Sequence, residues 1–184
     1  MLNMIKENEL KSILLTEEEI KAIVKRLGSE ITADYKDKNL IVVSVLKGSV
    51  MIMADLLREI KLPLKIDFMA VSSYGSGTTS SGTVKIIKDL DINLSGYDIL
   101  IVDDILDSGA TLSSLKEILL TRKPASVKIC TFLDKPDRRK ADIKADYVGA
   151  VIPDEFVVGY GLDYDEKYRN LPYVGILSPS VYGG

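Results

Sequence analysis

The sequence predicts an α/β fold in which helices flank a mostly parallel sheet. Three observations lead there. Strand-length runs are apolar at every residue rather than at every second one, which marks strands buried on both faces. Helical patterns alternate with these runs along the chain. The 184 residues, 46% hydrophobic and 28% charged, suffice for one domain with a full core.

Taken in order, Thr16-Glu17-Glu18-Glu19 has the form of a capping box. Ile20, Ile23, Val24, Leu27 and Ile31 follow it at helical spacing. Residues 40–46 read as a buried strand broken by Lys47-Gly48-Ser49, and 50–60 as a helix closed by Pro63. Strands are expected at 64–72 and 84–88. Between them, 73–83 contains only Ser, Gly and Thr apart from Tyr74. A strand at 98–102, a short acidic loop and a helix from about 111 to 120 come next. Residues 126–133 and 147–152 complete the strands, and the charged segment from Asp134 to Lys140 between them reads as a solvated turn. With no repeat and no linker, the chain is expected to be a single domain, 1–184. Open parallel sheets bind ligands beyond the carboxyl ends of their strands, which directs attention to Lys47, Asp103, Asp134 and Pro153.

Composition narrows the chemistry. There is no histidine, so Ser-His-Asp catalysis, histidine bases and histidine-bound zinc are excluded. Acid–base work falls to Asp, Glu, Lys or Tyr, and a metal would be hard and oxygen-bound, like Mg²⁺. A net charge of −3 argues against non-specific nucleic-acid or anionic-membrane binding. No apolar run is long enough to span a bilayer, and the first residues lack a signal-peptide pattern. One cysteine, Cys130, without an intrachain partner fits a reducing cytoplasm.

The segment ILIVDDILDSGATLSSLKEILL concentrates the candidate chemistry. A buried strand delivers Asp103 and Asp104, and Asp107-Ser108-Gly109-Ala110-Thr111 opens a helix. Backbone N–H groups at such a helix start favour a phosphate, and Ser108 and Thr111 add hydroxyls. Gly109 permits close backbone approach. Three carboxylates beside a phosphate cradle would repel it unless they face sugar hydroxyls, a metal ion or a proton to be removed. A ribose 5-phosphate carrying a metal-bound pyrophosphate meets all three demands. Asp107 could equally be an N-cap. A phospho-accepting receiver domain also places an acidic pair after a strand, but there the acidic strand comes first. No GxxxxGK[ST] loop occurs.

At this motif the chain resembles the type I phosphoribosyltransferases. VLKGS (45–49), SSYG (72–75), VDDILDSGATL (102–112), LDK (133–135) and IPDEFVVGYGLDYDEKYRNLPYVG (152–175) narrow the likeness to the hypoxanthine-guanine phosphoribosyltransferases. The resemblance runs from about 43 to 179. It implies that fold, with a small hood formed by about 1–15 and 153–184. It implies Mg²⁺-dependent transfer of phosphoribosyl from 5-phosphoribosyl-1-pyrophosphate to hypoxanthine or guanine, in a homodimer or homotetramer.

The resemblance also implies roles. Asp103 and Asp104 would hold the ribose hydroxyls and the hydrated metal. The family often has Glu at the place of Asp103, and some relatives have Lys at that of Ala110. Asp107 to Thr111 would bind the 5-phosphate, and Asp107 would act as general base. Lys47 and Gly48, preceded by a non-proline cis peptide, would form the pyrophosphate loop together with Arg169. Lys135 would donate to the six-position oxygen of the purine, Phe156 would stack on the base, and the Val157 backbone would read its edge. Asp163 would lie near the base and reach a second metal site. Ser73 and Tyr74 would lead a lid over 73–83. A nucleotide-sensing regulator is the rival reading. It predicts an added DNA-binding domain or a basic face, and the sequence has neither.

Overall fold

Helix α1 (Glu17–Asp34) starts where the capping box places it. Glu19 N–H donates to Thr16 Oγ1 at 3.3 Å, and Thr16 N–H donates to the Glu19 carboxylate at 2.8 Å. Ile20, Val24, Leu27 and Ile31 form its buried stripe. The computed structural model describes residues 9–73 and 84–183. Around α1 stand β1 (Leu10–Leu15), β2 (Leu40–Leu46), α2 (Val50–Glu59), β3 (Lys65–Ser73), β4 (Val84–Lys88), β5 (Asp98–Leu106) and α3 (Ala110–Leu120). There follow β6 (Ser126–Asp134), a 3-10 turn at Pro136–Arg138, β7 (Tyr147–Val151), β8 (Val157–Val158), β9 (Val174–Leu177) and α4 (Pro179–Tyr182).

Six strands form one sheet in the order β4-β3-β2-β5-β6-β7, parallel except for β4, which runs antiparallel to β3. The continuous apolar runs have a direct reason. On β2 and β5, Val42, Leu100 and Val102 face the core shared with α1 and α2, while Ile41, Val43, Ile99 and Ile101 face the core shared with α3. A small second sheet, β1-β9-β8, gathers segments from both ends of the chain. Its Val157, Val174 and Ile176 join the α1/α2 core. Cys130 is buried in that core, and burial pushes its thiol up to about 12, so it is an inert packing residue.

Two expectations need correction. The acidic pair does not sit in a loop after a short strand. β5 continues through Leu106, and Asp103 pairs in register with Thr131 of β6. Aspartate is a poor strand former, but the long neighbour β6 supplies the ladder that holds it extended. Nor does Asp107 cap α3. The N-cap is Gly109, at φ +82°, with no side-chain cap bond.

Candidate active site

The carboxyl ends of β2 and β5 and the start of α3 open into one cleft of about 310 Å³. Lys47, Gly48, Asp103, Asp104, Asp107, Ser108, Gly109, Thr111, Asp163 and Arg169 all contribute to its wall. Sequence positions more than a hundred residues apart therefore meet here. Ala110 opens α3 without lining the cleft.

At the Lys47-Gly48 turn the Leu46–Lys47 peptide is cis. A Cβ on Gly48 would come within 1.6 Å of Asp104 Oδ2, so backbone and carboxylate occupy adjoining space that only glycine leaves open. Asp104 Oδ1 accepts a hydrogen bond from Ile105 N–H at 2.8 Å. Burial pushes Asp103 well above the ordinary carboxylate range, and the adjacent Asp104 adds to this. Burial also raises Asp104, against the pull of that backbone bond and of Arg169. Two crowded carboxylates held this way favour a cation or a hydroxyl donor as neighbour. Among the described residues, no group of three or more His, Cys, Asp or Glu is placed to cage a metal ion. Asp103 and Asp104 are the carboxylates that could hold a hard divalent ion, the rest of whose shell would be water or ligand oxygen.

Asp107 stands at the cleft's other side. Arg138 Nε lies 3.0 Å from its buried Oδ1 as an ion pair. Beyond it, Gly109 is left-handed, and a Cβ there would press on Ile143 and Arg139 at 2.6 and 2.9 Å.

The cations face each other across an acid. Arg169 donates to Gly161 O at 2.8 Å and pairs with Asp163 Oδ1 at 2.8 Å. Asp163 Oδ2 accepts from Glu166 N–H at 2.9 Å. The Glu166 carboxylate then joins Lys47 at 3.1 Å to Arg169 at 3.3 Å. The hydrogen bond from Lys47 holds Glu166 below its ordinary range, with Arg169 helping.

Lys135, Phe156 and Val157 lie outside the wall of this cleft. Lys135 adjoins it through its N–H, which donates to Leu106 O at 3.0 Å. The residue is buried at 7% exposure, and Nζ donates to Glu155 O at 2.6 Å. Burial lowers the Lys135 pKa, against the attraction of Asp107 and Asp154. Phe156 is 38% exposed and stacks on Tyr182 at 4.9 Å, with Tyr164 edge-on at 5.7 Å. Val157 pairs with Ile176 in the small sheet. Of the expected lid, Ser73 is the last residue of β3; 74–83, with Tyr74, lie outside the described residues.

Sequence reasoning missed three participants. Glu166 bridges the two cations, Tyr182 backs Phe156, and Arg139 packs inward from the segment read as a solvated turn. Only Glu166 carried a signal, its place three residues before Arg169.

A model of the phosphoribosyl transferase domain matches residues 11–165. The hypoxanthine-guanine phosphoribosyltransferase of Staphylococcus aureus is 59% identical over 175 residues, 95% of this chain and 98% of that protein. The Bacillus subtilis enzyme of the same name is 57% identical over 176 residues, 96% and 98% of the two chains. A crystal structure of a Staphylococcus aureus hypoxanthine phosphoribosyltransferase superposes with a TM-score of 0.96 at 56% identity, covering 100% of both chains. By this domain match and these near full-length identities, the chain belongs to the phosphoribosyltransferases, among their hypoxanthine-guanine members.

Proposed function

We propose that this chain makes purine nucleoside monophosphates by transferring phosphoribosyl from 5-phosphoribosyl-1-pyrophosphate to hypoxanthine or guanine, releasing pyrophosphate. The observation that carries the reading is the convergence of Asp103, Asp104, the 107–111 loop, Lys47 and Arg169 on one cleft at the carboxyl edge of the sheet.

The loop from Asp107 to Thr111 receives the 5-phosphate at the start of α3, where backbone N–H groups and the helix dipole favour an anion. Asp103 and Asp104 hold the ribose hydroxyls. Bound there with Asp163 near a second position, Mg²⁺ would neutralise pyrophosphate charge as the sugar–oxygen bond breaks. Lys47 and Arg169 bind the departing pyrophosphate by charge, and Gly48 lets the backbone come close to it. Phe156 stacks on the purine, the Val157 backbone reads its edge, and Lys135 donates to the six-position oxygen. Asp107 accepts the proton lost from the five-membered ring as the new bond forms.

An oxocarbenium-like sugar exposed to water would be hydrolysed, so the transfer needs a site shielded from solvent. The enzyme works in the cytoplasm as a homodimer or homotetramer, with the hood contributed by both chain ends. Pyrophosphate release, followed with each base in turn and with and without Mg²⁺, tests the reading. Turnover is expected with hypoxanthine and guanine only when the metal is present. Equal release with a chelator would overturn the metal's role, and no release with any base would overturn the reaction.

A further inference from the structure

Arg139 lies outside the cleft wall, yet its guanidinium reaches four acceptors around the phosphate loop. It donates to Asp107 O at 3.0 Å, to Leu106 O at 3.2 Å and to Ile143 O at 2.7 Å, and it pairs with the Asp134 carboxylate. Arg139 and Asp134 are 16% and 17% exposed. The backbone around Arg139 does the same work. Lys140 N–H and Ala141 N–H donate to Ser108 O at 2.9 and 3.1 Å, and Lys135 N–H donates to Leu106 O at 3.0 Å.

Three successive carbonyls, 106, 107 and 108, are thus drawn toward the 135–141 segment. In a trans peptide, C=O and N–H point in opposite directions. The N–H groups of Asp107, Ser108 and Gly109 are therefore turned the other way, toward the cleft that these residues line. We propose that Arg139 is a positioning residue that aims this row of N–H groups at a phosphate and couples the loop to the purine-side strand end at Asp134-Lys135. The inference rests on the phosphoribosyl-transfer reading, to which it adds a residue that touches neither substrate. A lysine cannot replace it, because one ammonium lacks the planar fork that spans several acceptors.

The test uses Arg139→Lys and Arg139→Gln in the full chain, with ribose 5-phosphate as the probe in calorimetry. Both variants are expected to lose roughly 10- to 100-fold in affinity for ribose 5-phosphate, the scale set by misplacing a preorganised group by about an ångström. kcat/KM for 5-phosphoribosyl-1-pyrophosphate should fall by a similar factor, while KM for hypoxanthine stays within about threefold. If Arg139→Gln does not fold, Arg139→Lys decides. A folded variant that binds ribose 5-phosphate like the wild type would overturn the proposal. So would equal loss toward both substrates with a lowered Tm, the signature of a brace that only supports the fold. Should the wild type itself neither bind ribose 5-phosphate nor release pyrophosphate, the functional reading would fall first, an outcome distinct from failure of the variants alone.

Discussion

The Asp104 carboxylate fills the space that a side chain on Gly48 would need, with Oδ2 only 1.6 Å from the place of its Cβ. β2 and β5 are neighbours in the sheet, so their carboxyl ends meet and the two turns must share room. Gly48→Ala should therefore displace either the Lys47 turn or Asp104. The strands themselves lie deeper and remain paired. We expect kcat/KM to fall by ~10²-fold, with far-UV circular dichroism unchanged. Activity within a few-fold of wild type would show that the contact is not needed.

Asp107→Asn keeps the size of the side chain but cannot accept a proton. Because Gly109, not Asp107, is the N-cap of α3, the substitution leaves the helix start undisturbed. A fall in kcat of ~10²–10⁴ is expected, with KM for 5-phosphoribosyl-1-pyrophosphate little changed. Steady-state kinetics with saturating hypoxanthine gives the answer. Near-normal turnover would remove Asp107 from the chemistry.

Base selection is expected to depend on Lys135. An ammonium has donors and no acceptor, so it suits a six-position oxygen and opposes the amino group of adenine. The side chain is buried, with one bond to Glu155 O already made, and a mismatched donor there could not turn to water. Adenine should be rejected by ~10⁴ or more relative to hypoxanthine. Xanthine, which turns an oxygen toward backbone carbonyls where guanine has an amino group, should be a poor third. kcat/KM for the four bases checks this, and adenine within tenfold of hypoxanthine would contradict the role given to Lys135.

Glu166 holds Lys47 and Arg169 together where pyrophosphate is proposed to bind, so the incoming anion must compete with it. Glu166 is exposed, and such a pair is weak. Glu166→Gln should tighten product inhibition by pyrophosphate roughly two- to fivefold, an effect that shrinks as salt is added. Weaker inhibition in the variant would mean that Glu166 organises the cations rather than masking them.

Much of this molecule was legible from local pattern. Whether a residue faces the core depends on periodicity, and periodicity is written in consecutive residues. The capping box at Thr16 and Glu19, the β2 run and the stripe of α1 needed nothing more. The acidic motif was legible too, since Asp103, Asp104, Asp107 and Gly109 lie within seven positions of one another. Tertiary structure decided the rest. β5 runs on through two aspartates because β6 pairs with it, a stabilisation that no local propensity contains. Lys47 meets Glu166 across 119 positions, and Arg139 meets Leu106 across 33. Tyr182 reaches Phe156 because β8 and β9 pair in the second sheet. A charged side chain in a polar segment reads as solvated, since a sequence shows its charge and not the carbonyls that will surround it. Arg139 is partly buried because the chain brings three carbonyls and a carboxylate to it, and that convergence exists only once the sheet has formed.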